Sequence, residues 1–359
     1  MEWEKSKGIR QFILEQIGKS SQDIVRLTGE KFGISRQAVN RHIHKLINDG
    51  WIIAEGSTRQ RQYKLKPIVK KELDFRVSKK LQEDVIWREE IRPLLENIPK
   101  NVLDICNHGF TEMLNNVIDH SNGSWAIIRI ELTKVNIMIS IYDDGVGIFE
   151  KIKTELGLDD LRHAILELAK GKLTTDPQRH TGEGIFFSSR MFDKFYIISG
   201  GLCFIHNAIG NAWLHDWLIE VDEGGKAGTS IGMYININSN RNIKEVFDKY
   251  TSTDDDLGFT RTIVPVSLAK YGDENLISRS QAKRLLARFE KFREVVLDFK
   301  GVDAIGQAFA DEIFRVFTLK NPHINIMFIN AHADIEKSIA RALQNGKDSL
   351  AALKSTVEE

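Results

Sequence analysis

Val135-Asn136-Ile137-Met138-Ile139-Ser140-Ile141-Tyr142-Asp143-Asp144-Gly145-Val146-Gly147-Ile148 is the stretch that decides how this chain folds. Val135 to Ile141 is rich in branched apolar residues and reads as a strand, and Trp125 to Leu132 reads as another just before it. The second run delivers an acid directly into a glycine turn. Asp143 would accept a hydrogen bond from an exocyclic amino group, and residues without side chains let a ligand come close to the backbone. Taken alone, the stretch reads more readily as an ordinary turn rich in Asp and Gly.

Upstream, Phe110 to Ser121 reads as a helix whose apolar positions Phe110, Leu114, Val117 and Ile118 would pack on a sheet. Glu112 and Asn116 lie one turn apart on another face, and Asp119 and His120 continue that polar stripe. A carboxylate beside a neutral amide oxygen suits a site where Asn116 ligates magnesium and Glu112 orients or deprotonates a nucleophile, although a solvated helix face has the same pattern. Downstream, His180-Thr181-Gly182-Glu183-Gly184-Ile185 runs a glycine loop into a helix, where free N–H groups and the helix dipole favour a phosphate. Gly228-Thr229-Ser230 then enters a strand over Ile231 to Ile237.

These four motifs, in this order and spacing, resemble the Bergerat-fold (GHKL) ATPases, the superfamily of gyrase-type topoisomerases, heat-shock chaperones, mismatch-repair ATPases, sensor histidine kinases and anti-sigma-factor kinases. The resemblance implies a site for ATP and Mg2+. In it Glu112 is the catalytic base, Asn116 the magnesium ligand, Asp143 the adenine reader, and Gly145, Gly147 and Ile148 the turn beside it. His180, Thr181, Gly182, Glu183, Gly184 and Ile185 form the phosphate loop, Asp119 and His120 extend the polar stripe, and Thr229 contacts the nucleotide from the end of the sheet. Kinase members often begin this loop with a glycine where the chain has His180. Glu150 to Arg179 would be the lid, with Lys170, Lys172, Arg179 and His180 within reach of a triphosphate; solvated lysines are the alternative.

A chain of 359 residues leads us to expect two or three domains. Its 50 basic and 50 acidic residues balance, so no global charge draws it to nucleic acid or membrane, and any basic surface has to be local. The two cysteines, Cys106 and Cys203, lack metal or redox spacing and read as small core residues in a reducing compartment. Met1-Glu2-Trp3-Glu4-Lys5 lacks the apolar core of a signal peptide, and no run reaches the length of a membrane span, so a cytoplasmic location without membrane contact is expected.

Residues 1–67 read as a separate unit, with helices over Gly8 to Ile17, Gln22 to Phe32 and Arg36 to Asn48, the last entered through Gly33-Ile34-Ser35. Gly50 to Leu65 reads as two strands around a polar tip. This pattern resembles the winged-helix DNA-binding domains of bacterial transcriptional regulators. Ser35, Arg36, Gln37, Asn40 and Arg41 place donors where a recognition helix meets DNA, and Arg59, Arg61 and Lys64 put charge on the wing for phosphates. A winged helix used for protein contacts is the competing reading.

Residues 68–99 read as a charged helical linker, helical from Val77 to Glu96, whose apolar positions would pack on the 100–240 ATP-binding domain or on a second copy of the chain. In 258–359, helices and strands alternate: strands at Thr262 to Leu268, Val295 to Phe299 and Ile324 to Ile329, helices at Ser280 to Phe292, Gln307 to Phe317 and Ala333 to Leu343. Val295 to Glu312, with its Phe309-Ala310-Asp311-Glu312 helix start, resembles the anti-sigma-factor antagonist (STAS-like) fold. Gly306-Gln307-Ala308 carries no hydroxyl where antagonists have a phosphorylatable serine, so no phosphoswitch is expected.

The expected fold class is multidomain α+β: winged helix-turn-helix, Bergerat α/β sandwich and STAS-like α/β layer. The expected function is a regulator in which Mg-ATP binding, with or without slow hydrolysis, controls DNA or partner binding. The alternative is a serine/threonine protein kinase of the anti-sigma-factor type acting on a separate protein, with Glu112 accepting the hydroxyl proton. Expected partners are DNA at the N-terminal unit, a protein at the C-terminal domain, and a second copy of this chain.

Overall fold

The computed structural model describes residues 2–18, 23–56, 61–173, 182–207, 215–221, 227–251, 258–270 and 274–357. Helices α1 (Glu2–Gly18), α2 (Ile24–Phe32) and α3 (Arg36–Asn48) open the chain, followed by the antiparallel strands β1 (Ile52–Glu55) and β2 (Gln62–Leu65). Ile9, Ile13 and Ile17 along α1 and Val39, Ile43 and Leu46 along α3 recur at helical spacing, and their stripes meet in a small core. The Ser35 hydroxyl accepts the Ala38 N–H at 3.3 Å and so starts α3. Val135, from the turn of a central hairpin, is buried in this same core, and the Lys134 ammonium lies 4.8 Å from the Trp51 ring centre. The N-terminal unit thus has its own core and meets the central hairpin through Val135 and Lys134.

The expected helical linker over 68–99 is replaced by a strand and a short helix. Strand β3 (Val69–Arg76) pairs along its whole length with β4 (Trp125–Leu132), and α4 (Glu83–Ile86) widens over Trp87–Ile91 and tightens over Arg92–Leu94. Charges disguise the strand. Lys70, Glu72 and Asp74 are exposed at the edge of the sheet, whereas Val69, Leu73 and Phe75 pack inward and Lys71 pairs with Glu90 at 2.7 Å. Ile86, Trp87, Ile91 and Leu95 belong to the central core, with Trp87 5.6 Å from Phe110 between ring centres.

Helix α5 (Lys100–His120) and the strands β5 (Asn136–Asp143), β6 (Lys194–Ser199), β7 (Leu202–Asn207), β8 (His215–Glu220) and β9 (Thr229–Asn236) complete the central layer. Helices α6 (Ile148–Leu156), α7 (Leu161–Lys170) and α8 (Gly184–Met191) lie between β5 and β6 in the chain. The seven strands are all antiparallel in the order β3-β4-β5-β9-β6-β7-β8, and α5 buries Cys106, Phe110, Met113 and Val117 beneath them. Along β5 burial alternates, so Ile137, Ile139, Ile141 and Asp143 share the core-facing side.

Beyond α9 (Ile243–Lys249), a parallel sheet of β10 (Arg261–Pro265), β11 (Glu294–Asp298) and β12 (Asn325–Ile329) carries crossover helices. These are α10 (Arg279–Leu286), opened by a Ser278–Gln281 capping box, and α11 (Gln307–Asp311), which widens over Glu312–Phe317 before α12 (Thr318–Lys320). α13 (Ala333–Val357) closes the layer. The helix expected over Ser280 to Phe292 stops at Leu286, because Ala287 turns to ψ 133° and Arg288 after it adopts a left-handed backbone with φ +64°. One continuous apolar core joins the central and C-terminal layers. Cys106 and Cys203 are buried thiols, and no helix among the described residues is long and apolar enough to cross a membrane.

Candidate functional site

A cavity of about 290 Å3 opens where α5, the turn after β5, the ends of α7 and α8, and the start of β9 converge. Its size suits a small molecule. On α5, Glu112, Asn116 and His120 recur every fourth residue and all three line it. The Asn116 Nδ2 atom is buried without a hydrogen-bond partner, a cost that a polar ligand would relieve. Glu112 lies against the first turn of α8: a Cβ placed on Gly184 would stand 2.0 Å from Glu112 Oε2. Glycine thus lets the carboxylate reach the start of that helix.

The two acids that end β5 have different jobs. Asp144 Oδ1 accepts the N–H groups of Ser124 and Trp125 at 2.7 and 2.8 Å and so ties the turn to β4. Asp143, 4% exposed, continues the buried phase of β5 into the cavity and accepts the Gly145 N–H at 2.9 Å. Burial pushes its carboxyl up to about 6, aided by the nearby Asp144 charge and opposed by hydrogen bonds from Gly145 and Thr229. Thr229 Oγ1 also accepts the Ile148 N–H at 3.0 Å, locking β9 to the start of α6. A Cβ on Gly145 would lie 2.1 Å from the Ser121 carbonyl oxygen, and Gly147 needs φ +87°, so the turn tolerates side chains at neither position.

Of the residues singled out in the sequence, Glu112, Asn116, His120, Asp143, Gly147, Ile148, Gly182, Gly184, Ile185 and Thr229 line one cavity. Others do not. Asp119 is on the exposed side of α5, since a three-residue step from Asn116 carries it off the lining stripe. Gly145 shapes the turn from behind the wall. Glu183 is half-buried, and the Lys172 ammonium donates to the Lys291 carbonyl at 2.9 Å while lying 5.1 Å from the Phe292 ring centre. Lys172 therefore turns away from the cavity, toward the C-terminal domain. Lys170 is fully buried against Glu167. Arg179, His180 and Thr181 lie outside the described residues, as does Arg59.

Sequence patterns missed Ser121, Lys151 and the apolar wall of Ile152, Leu168 and Leu173. Lys151 sits one turn into the helix that Gly147 opens, and its ammonium donates to the His120 carbonyl at 2.9 Å. A helical reading of the residues after Gly147 would have turned it back toward the site. At the other end of the molecule, Arg36, Gln37 and Arg41 are exposed on α3, Asn40 is partly covered, and Arg61 is exposed beside β2. Ser35 spends its hydroxyl on the helix cap, and Lys64 pairs with Glu55 at 2.5 Å.

The family model of a STAS-like domain of unknown function (DUF4325) matches residues 281–336, from α10 through β11, α11 and β12 into α13. The chain carries a C-terminal STAS-like domain. No curated protein matches the chain. The STAS-like domain contains Arg288 and packs directly behind the α7 wall of the cavity.

Proposed function

We propose that this protein is a regulator whose central cavity binds ATP with Mg2+ in the manner of a Bergerat-fold site, and whose nucleotide state controls DNA binding by a winged-helix N-terminal domain. The observation that carries the proposal is the convergence of Glu112, Asn116, Asp143 and Thr229, from three separate elements, on one cavity. Asp143 supplies a buried acceptor for the adenine amino group, with Thr229 beside it. Gly182 and Gly184 border the end where phosphates would meet the N-terminus of α8. Asn116 offers one neutral oxygen, which fits a magnesium ion carried mainly by phosphate oxygens, and that ion would neutralise phosphate charge when bound. Glu112 is placed to orient or deprotonate a nucleophile.

The DNA reading rests on the exposed donors Arg36, Gln37 and Arg41 at the open end of α3 and on Arg61. Nucleotide can change DNA affinity only if it binds two states of the chain differently. The test is duplex selection by the full-length protein with and without the non-hydrolysable analogue AMP-PNP and magnesium. An enriched duplex whose affinity shifts at least about five-fold with nucleotide supports the proposal. Equal affinity with and without nucleotide overturns the switch.

A second reading, serine/threonine kinase activity on a separate protein, is favoured by the Glu112 carboxylate lying in the cavity wall. Label appearing in a protein from γ-labelled ATP, and lost in Glu112→Ala, would establish it. Label in free phosphate alone would instead indicate hydrolysis.

A further inference from the structure

A helix leaves its last carbonyls without partners of its own. At the end of α7 they are met by side chains from the C-terminal domain. Arg288 donates to the Glu167 carbonyl at 3.4 Å, the Gly171 carbonyl at 3.2 Å and the Lys172 carbonyl, and to Glu167 Oε2 at 2.8 Å. The Thr262 hydroxyl donates to the Lys170 carbonyl at 2.7 Å. Glu167 and Lys170, 1% and 0% exposed, form a buried pair at 2.5 Å, and the Lys170 ammonium also donates to the Ala287 carbonyl at 2.9 Å. Their charges are met by partners from both layers. A planar guanidinium forking onto several acceptors is the geometry in which arginine outperforms lysine.

This clamp sits on the wall of the cavity. Leu168, inside the clamped turn, and Leu173, just after it, both line the cavity, and the Leu173 N–H donates to the Gly182 carbonyl at 3.0 Å. Lys172 and Arg288 both hold left-handed backbones, φ +50° and +64°, which residues with side chains adopt only when their surroundings hold them there. The contacts join groups 92 to 121 residues apart in the chain.

We infer that Arg288 of the STAS-like domain is a positioning residue for the α7 wall, so that this domain sets how long a nucleotide stays in the central cavity. The inference rests on the nucleotide reading above. With Arg288 in place, the turn from Leu168 to Leu173 is held against the cavity; without it, the end of α7 opens and the ligand leaves faster. A partner that draws the STAS-like domain away would discharge the nucleotide by the same route.

The test is stopped-flow dissociation of the fluorescent nucleotide mant-ATP, with magnesium, from full-length wild type, Arg288→Ala, Arg288→Lys and Thr262→Val, alongside hydrogen exchange over residues 161–173. Arg288→Ala is expected to speed dissociation roughly ten-fold and to deprotect 161–173, while leaving exchange in β4 and β5 unchanged. Thr262→Val shifts both in the same direction, and Arg288→Lys restores only part of the wild-type residence time. A folded Arg288→Ala with wild-type dissociation overturns the inference. Should Arg288→Ala fail to fold, an unchanged rate in Thr262→Val does the same. A wild type that binds no mant-ATP overturns the nucleotide reading, and this inference with it.

Discussion

Replacing Asp143 by Asn should make the protein more stable while making it a poorer nucleotide binder. The carboxyl is pushed up to about 6 from 3.8 by burial. That rise amounts to about 3 kcal/mol of penalty on the ionised form at neutral pH. Between pH 3.8 and 6 the folded chain holds more proton on this group than the unfolded chain does. Stability from Asp143 therefore falls as pH rises across that window, and the penalty is complete above it. Asn keeps the acceptor for Gly145 and carries no charge, so Asp143→Asn is expected to gain about 1–3 kcal/mol at pH 8, with the gain shrinking toward pH 4. Loss of a charge-assisted hydrogen bond to the adenine amino group should weaken mant-ATP binding roughly 10- to 100-fold. Thermal unfolding of both proteins at pH 5 and pH 8, with mant-ATP titration at pH 8, measures both effects. A variant less stable than wild type at pH 8, or one whose gain is the same at both pH values, would refute the reasoning.

Glu112→Ala should retain mant-ATP binding yet lose turnover or transfer by about 100-fold or more, read with γ-labelled ATP. Gly145→Ala forces a methyl to within 2.1 Å of the Ser121 carbonyl oxygen, so the turn must shift; nucleotide binding should be lost together with about 2 kcal/mol or more of stability by urea titration. Val135→Ala removes apolar contacts from the core shared by the N-terminal unit and the central hairpin, and should cost about 1–3 kcal/mol while lowering DNA affinity more than mant-ATP affinity. Arg36→Ala should weaken duplex binding and flatten its salt dependence by about one unit of slope if the contact is to phosphate.

Local pattern made much of the site readable. The strand ending in Asp143 announces itself through branched apolar residues, and the stripe Glu112–Asn116–His120 follows from the period of a helix. Asp119 was misplaced because contiguity along a sequence is not contiguity on a helix face. β3 stayed hidden because Lys70, Lys71, Glu72 and Asp74 read as part of a charged linker, whereas an edge strand carries such charges at little cost. The family resemblance would make Lys170 and Lys172 lid cations, yet the structure spends them on carbonyls of the C-terminal domain, contacts that no local window contains. The same holds for Arg288, which follows the break at Ala287 and reaches Glu167 and Gly171 across the chain. Val135 likewise reads as an ordinary strand residue and is buried in the core of the N-terminal unit. What escaped the sequence at Lys170, Lys172, Arg288 and Val135 is a long-range contact.

Isothermal titration of ATP with magnesium into the full-length protein, wild type beside Asp143→Asn, bears most directly on the central cavity. One saturable site per chain in the wild type, weakened at least about ten-fold in the variant, is expected. No binding to the wild type, or equal binding to both proteins, would contradict the assignment of the cavity to a nucleotide.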